Sequence, residues 1–538
     1  MTDFLGTDWH EKIFTGTWTD GAGETYDVIE PATGETLGRL GAASADDVTA
    51  AATRAAAAQK DWARTTPAER AAVLRRAGAL WAEHADELAG WIIREAGSIP
   101  PKAALEISSA EAICFESSAL PSHPKGQVLT SNDPRWSFAR RLPAGVVSVI
   151  APFNFPLILA MRSVAPALAL GNAVLLKPDP RTAVCAGVAI AKVFAEAGLP
   201  EGLLQVLPGG LDAGEAVVAA PEVSVISFTG STAAGRKVGE AAGRLLKRCH
   251  LELGGNNALV VLPGTEVGPA TSAGAFGSWM HQGQICMTTG RHLVHESIYD
   301  EYVEQLAERA RNLPVGNPAT EEVAIGPIID EKQRTHVRDI LYKATADGAT
   351  LVAGGPGEGA FVPPTVLTDL SPSNPAWAQE IFGPVAPVAR FSTLDEAAEM
   401  VNASEYGLSL GILGDVGLAM DLADLVDTGK IHINEQTVSD EANVPFGGMK
   451  DSGNGSRFGG AEANIEAFTE TQWVTMRSSI APYPFRHARQ HPGDTDVRNH
   501  PIRIHDRFRL GGPLAGRPVL AGCRFGGLRP RRPRRGHP

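Results

Sequence analysis

A rhythm that begins at Gly145 narrows the possible folds more than any other feature of this chain. Val146-Val147-Ser148-Val149-Ile150 is a short buried-strand signal. Ala173-Val174-Leu175-Leu176, Leu203-Leu204-Gln205-Val206-Leu207 and Val223-Ser224-Val225-Ile226-Ser227-Phe228 repeat it, and a helical pattern follows the second from Thr182 to Ala197. A parallel strand is buried on both faces and returns through a crossover, so short apolar runs alternating with helices predict βαβ units in a doubly wound sheet. A second alternating region runs from about 256 to 435. It predicts helices near 267–282 and 297–311, and strands near 258–262, 386–391 and 409–412.

Other stretches are of a different kind. Residues 45–120 are dense in alanine, with Leu74, Leu80, Trp81, Leu88, Ile92 and Ile93 at helical spacing, and predict helices. Gly126 to Arg141 alternates apolar and polar residues around Ser131-Asn132-Asp133-Pro134, which predicts a hairpin. The length of 538 residues predicts two or three domains, and 43% hydrophobic residues suffice for large cores. Five cysteines with no Cys-x-x-Cys pair suggest neither a zinc ribbon nor a disulfide framework, so no metal site is expected. The opening Met1-Thr2-Asp3-Phe4-Leu5-Gly6 has no basic stretch before an apolar core, and the apolar segments are short. The expectation is a cytoplasmic chain without a signal peptide or membrane span.

The net charge of −13 hides two regions. Residues 486–538 carry 13 Arg, no Lys and three Asp, whereas the rest has 35 basic and 58 acidic residues, a balance of −23. An acidic body argues against nucleic acid as the partner. The basic tail lacks periodicity and reads as a disordered extension, with a binding arm as the alternative.

Several motifs carry chemistry. Cys286 in Gly283-Gln284-Ile285-Cys286-Met287 is either a nucleophile or a buried inert thiol. Glu252 in Leu251-Glu252-Leu253-Gly254-Gly255 is a carboxylate in apolar surroundings, hence a candidate general base or a paired structural acid. Asn154, in Pro152-Phe153-Asn154-Phe155-Pro156, is an amide donor on a stiff turn, suited to an oxyanion or simply to the turn. Gly230, Ser231 and Gly235 follow a strand and open a helix, where backbone N–H groups favour a phosphate. The spacing there is GxxxxG, and a plain strand-to-helix turn would look the same. Lys177 adds a cation at another strand end. Glu380-Ile381-Phe382-Gly383-Pro384 and Pro445-Phe446-Gly447-Gly448-Met449-Lys450 are tight turns with an aromatic residue.

Taken in order, these motifs resemble the aldehyde dehydrogenase superfamily over about residues 10 to 480. The resemblance implies an α/β fold with a Rossmann-like cofactor domain (1–125 and 143–251), an α/β catalytic domain (252–450) and a small β oligomerisation arm (126–142 and 465–480). It implies a homodimer or homotetramer that oxidises a small-molecule aldehyde with NAD or NADP. Cys286 then matches the nucleophile, Glu252 the base and Asn154 the oxyanion donor. Lys177, Gly230, Ser231, Gly235, Glu380 and Phe382 match cofactor contacts. Branches that pass the acyl group to coenzyme A or phosphate lack a carboxylate at the position of Glu252, so hydrolysis is expected.

One departure concerns the cofactor. Many NAD-preferring members carry Glu where this chain has Pro180. Its loss removes repulsion against a 2′-phosphate, which Arg181 or Lys177 would attract, while Asp179 offers a substitute contact for a hydroxyl. NAD is expected, with NADP as a second cofactor. The stretch from Ile431 to Val438, and that from Asn464 to Trp473, resemble the benzaldehyde and vanillin branch. An aromatic substrate needs a flat apolar slot, for which Phe155, Leu159, Ile285 and Phe446 are candidates. Arg162, two helical turns beyond Phe155, is either a ligand for a ring hydroxyl or a structural ion pair. The rival expectations are an aliphatic semialdehyde dehydrogenase and a non-catalytic structural relative.

Overall fold

Five consecutive parallel strands of a seven-stranded sheet run from one edge in the order Arg248–Glu252, Val223–Thr229, Val146–Ile150, Ala173–Lys177, Leu204–Val206. Two antiparallel strands from the N-terminal region, Lys12–Phe14 and Trp18–Asp20, close the far edge. Every residue of Ala173–Lys177 and nearly all of Val146–Ile150 is buried, as expected of strands covered on both faces by helices. The strand order reverses between Val146–Ile150 and Val223–Thr229. The loops leaving these two strands therefore diverge and leave a crevice at the carboxyl edge. This computed structural model describes residues 4–481 and 483, so the basic tail of 486–538 lies outside the described residues.

A second seven-stranded sheet runs in the order Thr350–Ala353, Thr365–Thr368, Val385–Phe391, Thr289–His295, Asn257–Val261, Ser409–Leu413, Lys430–Ile433, all parallel except the first pair. Three strands make a separate sheet, in which Trp136–Pro143 pairs with Gly126–Val128 on one side and Thr469–Met476 on the other. Helices Ala45–Trp62, Pro67–Glu83, Ala85–Ala96 and Pro100–Ala119 fill the region expected to be helical. The first two begin with Ser44 and Thr66 capping boxes.

Two expected helices are shorter than their patterns. Thr182 to Ala197 becomes a widened turn, Val184–Val188, followed by the helix Ala189–Glu196. The buried Glu95 carboxylate accepts the N–H groups of Val184 and Cys185, removing them from the regular ladder. The helix expected over 267–282 ends at Trp279, because His281, Gln282 and Gly283 take φ values of 47°, 57° and 65°. Gln282 is tied by its amide to the carbonyls of Gly97 and Pro327, and a Cβ on Gly283 would lie 2.1 Å from the Gly383 carbonyl. This tight left-handed turn delivers the chain to Cys286.

Candidate active site

The site lies where the carboxyl edge of the first sheet meets loops at the amino ends of strands in the second. Asn154 follows Val146–Ile150, Lys177 ends Ala173–Lys177, Gly230 and Ser231 follow Val223–Thr229, and Glu252 ends Arg248–Glu252. Cys286 precedes Thr289–His295, while Glu380 and Phe382 precede Val385–Phe391.

Cys286 is half-buried and lines two cavities at once, as do Asn154 and Leu159. Its carbonyl accepts from the Asn257 amide at 2.8 Å, and a Cβ on Gly255 would come within 2.4 Å of that carbonyl. The Asn154 amide donates to the Gln284 carbonyl at 2.9 Å, which leaves its second N–H free. The Cys286 backbone N–H makes no hydrogen bond among the described residues. Two donors thus converge near the thiol. Desolvation pushes the Cys286 thiol up to about 12, with Lys430 and Arg162 pulling it down and Glu380 and Glu252 adding to the rise.

The first cavity has a volume of about 230 Å³. An apolar cavity of roughly 150 Å³ holds benzene, so this one accepts a single substituted ring. Phe155, Leu159, Arg162, Ile285 and Phe446 all line it. The lining also includes apolar residues that no motif indicated, among them Leu105, Ile113, Phe276 and Met280, together with Val438 and the polar Ser109, Ser439, Asp440 and Glu441. Arg162 pairs with Asp440, and its Nη1 has no partner. The Arg162 guanidinium and the Lys430 ammonium each lie 4.3 Å from the centre of the Phe446 ring. Lys430 also bonds to the Met287 sulfur and the Ser439 carbonyl, and burial pushes it down to about 8.

The second cavity, about 490 Å³, is lined by Lys177, Gly230, Ser231, Glu380 and Phe382. Ser231 caps the helix Thr232–Arg244, so the crevice faces a helix N-terminus. Lys177 is buried in the crevice wall, and its ammonium makes no hydrogen bond among the described residues. An unpaired buried cation beside a helix N-terminus fits a ligand that brings phosphates and hydroxyls, as NAD does. Glu380 accepts the Gly255 N–H at 2.9 Å and abuts Gly254, where a Cβ would lie 2.1 Å from its carboxylate. Burial pushes Glu380 up to about 7. Phe382, at φ 52°, meets Phe153 edge-on.

Four residues differ in placement from the simplest expectation. Gly235 lies outside the crevice lining; a Cβ there would lie 2.3 Å from Leu253, so its smallness lets helix Thr232–Arg244 pack on the Glu252 loop. Arg181 is committed to Asp179 through two hydrogen bonds of 2.9 and 2.8 Å and to Asp330 at 2.7 Å, and it stacks on Phe153. It is therefore not a free cation for a 2′-phosphate. Asp179 spends both carboxylate oxygens on that contact. Glu252 is buried outside both linings, with no side-chain partner for either carboxyl oxygen and the Gly448 backbone nearby. Burial raises its pKa well above the carboxylate range, against the pull of Arg162, Arg457 and Lys430.

Among the described residues, no cluster of three or more His, Cys, Asp or Glu is arranged to hold a metal, and no helix is long and apolar enough to cross a membrane. Residues 18–474 match the aldehyde dehydrogenase family. The chain is 63% identical over 478 residues to a vanillin dehydrogenase of an Amycolatopsis species, covering 89% of this chain and 98% of that one. It is 47% identical over 479 residues to a benzaldehyde dehydrogenase (NAD⁺) of Pseudomonas putida, with 89% and 98% covered. The crystal structure of a salicylaldehyde dehydrogenase from Pseudomonas putida, complexed with salicylaldehyde, superposes with a TM-score of 0.85 at 32% identity, over 88% of this chain and 99% of that one. With a thiol between a ring-sized chamber and a dinucleotide-like crevice, and with similarity across nearly the whole described chain, this protein belongs to the aldehyde dehydrogenase family.

Proposed function

We propose that this chain oxidises aromatic aldehydes of the benzaldehyde and vanillin type to carboxylic acids, with NAD as oxidant and water as second substrate. The carrying observation is that Cys286 lines both an apolar chamber sized for one substituted ring and a crevice suited to a dinucleotide. The similarity to vanillin, benzaldehyde and salicylaldehyde dehydrogenases supports the substrate class.

In this reading Cys286 is the nucleophile. It rests as the thiol; its proton passes to solvent through the cavities it lines, and Lys430 and Arg162 stabilise the thiolate that remains. Attack on the aldehyde carbon forms a thiohemiacetal, whose oxyanion accepts from the free N–H of Asn154 and the backbone N–H of Cys286. Lys177, Gly230, Ser231, Glu380 and Phe382 hold NAD, which supplies the hydride acceptor when bound. The oxidised adduct on Cys286 is a thioester. Glu252, after its own proton has passed to solvent, takes a proton from the water that cleaves it, its carboxylate favoured by Arg162, Arg457 and Lys430 against the burial that raises its pKa. Residues 1–125 with 143–251 serve the cofactor, 252–450 the chemistry, and 126–142 with 465–480 the association of copies as a homodimer or homotetramer. The exposed Val128, Trp136, Trp473 and Met476 on the three-stranded sheet support that last role. An aliphatic semialdehyde would bring a carboxylate into the chamber, and the Asp440 carboxylate paired with Arg162 there opposes a second negative charge.

A panel of benzaldehyde, vanillin, salicylaldehyde and succinate semialdehyde, each with NAD and with NADP, tests this by absorbance of the reduced cofactor. The expected result is the highest kcat/KM for an aromatic aldehyde with NAD. A preference for the semialdehyde overturns it.

A further inference from the structure

Beneath the Asn154 loop lies an ion pair with no access to solvent. Lys102 and Glu106, one turn apart on helix Pro100–Ala119, are both 0% exposed. Burying two charges costs about as much as their attraction returns, so such a pair is a poor source of stability. Its contacts instead converge on residues 154–158. Lys102 Nζ donates to Glu106 and, at 2.8 Å, to the Asn154 carbonyl, and it lies 4.4 Å from the centre of the Phe155 ring. The other Glu106 oxygen accepts the N–H groups of Leu157 and Ile158 at 3.0 and 3.3 Å. These belong to the first turn of helix Pro156–Ala169, whose own N-cap residue, Phe155, offers no side-chain acceptor. A carboxylate there satisfies orphan donors and suits the helix dipole.

Both carboxylate oxygens of Glu106 and two donors of Lys102 are thus spent within this clamp. Asn154 is held at its carbonyl from one side, while its side-chain amide reaches the Gln284 carbonyl on the other. The Gln284 side chain in turn accepts the Ile329 N–H at 3.1 Å. A continuous set of hydrogen bonds therefore runs from Lys102 through Asn154 to the segment two residues before Cys286.

We infer that Lys102 and Glu106 are positioning residues for the oxidation, fixing the Asn154 amide where the oxyanion forms without touching the substrate. The inference rests on the reading of Asn154 as oxyanion donor. Oxyanion stabilisation depends on donors already in place, so a loosened loop loses rate rather than binding.

The test neutralises the pair at nearly constant volume, with Lys102→Met and Glu106→Gln combined. Steady-state kinetics, NAD binding, thermal unfolding and alkylation of Cys286 by iodoacetamide are measured in this variant, in Asn154→Ala and in the triple variant. The expected result is a loss of about tenfold to a hundredfold in aldehyde kcat/KM, carried by kcat, since deleting an oxyanion donor outright costs about 10²–10³. NAD affinity and the alkylation rate, which needs no oxyanion, stay unchanged. In the Asn154→Ala background the same pair of substitutions causes no further loss. A loss repeated in full in that background overturns the inference, as does an equal fall in alkylation. If Asn154→Ala itself leaves kcat unchanged, the oxyanion reading fails, and that outcome is distinct. Glu106→Gln alone is the milder variant, expected to give the same pattern at smaller amplitude. Wild-type kcat in that enzyme overturns the inference even if the double variant does not fold.

Discussion

The crevice on one side of Cys286 is lined chiefly by loops at strand ends, whereas the chamber on its other side is lined largely by helix faces and the loop 438–446. Leu105, Ser109 and Ile113 come from one helix at spacings of four, and Phe155, Ile158, Leu159 and Arg162 from the start of another at helical spacing. The two constructions have different consequences. Strand-end loops hold backbone groups at fixed places, which suits a ligand common to many relatives. Helix faces present side chains that change one at a time, which suits a specificity pocket. The account therefore expects substitutions in the chamber to act on the aldehyde and substitutions in the crevice to act on NAD.

The largest separation is expected from Phe446→Ala. The ring is buried, lines the chamber and carries two cations against it. Its removal is expected to cost about 3–5 kcal/mol of stability. It is also expected to raise the KM for aromatic aldehydes while NAD affinity stays as it was. Thermal unfolding and steady-state kinetics measure the two effects; an equal loss of NAD binding breaks the comparison. Arg162→Ala is expected to have a smaller and selective effect. A hydrogen bond from a charged donor contributes about 1.5–3 kcal/mol, so hydroxybenzaldehydes lose roughly tenfold to a hundredfold more kcat/KM than benzaldehyde. Equal losses on both substrates reduce Arg162 to the ion partner of Asp440.

On the crevice side the expected effect is a pH dependence. Glu380, pushed up to about 7 by burial, is neutral below that pH and anionic above it. A carboxylate accepts ribose hydroxyls better than the acid does, so NAD affinity rises severalfold as pH crosses about 7. In Glu380→Gln the affinity is weaker and flat across that range, by calorimetric titration at each pH. A dependence that persists in the variant assigns it to another group.

The same contrast explains how much of the molecule was legible in its sequence. Strand-end loops impose local stereochemistry, so Pro152-Phe153-Asn154-Phe155-Pro156, Gly230-Ser231 and Gly383-Pro384 stand out as contiguous motifs. The chamber positions are dispersed over helices that look like ordinary core, and neither Leu105 nor Phe276 carries a mark of its role. Asp440 and Lys430 meet the chamber through partners far away in the chain, Arg162 and Met287. The Lys102 and Glu106 pair had one visible signal, opposite charges four apart, but a solvated helix face has the same spacing. The strand Arg248–Glu252 was hidden because charged residues at both ends break its apolar run. The turn at His281 and Gln282 depends on contacts with Gly97 and Pro327, which no local pattern records.

The central claim is that Cys286 carries the acyl group and Glu252 releases it. Its most direct test is mass spectrometry of Glu252→Gln mixed with vanillin and NAD. The account predicts a burst of one equivalent of NADH per active site and a vanilloyl adduct that persists on the peptide containing Cys286. Full turnover without an accumulated adduct, or an adduct on any other residue, would contradict it.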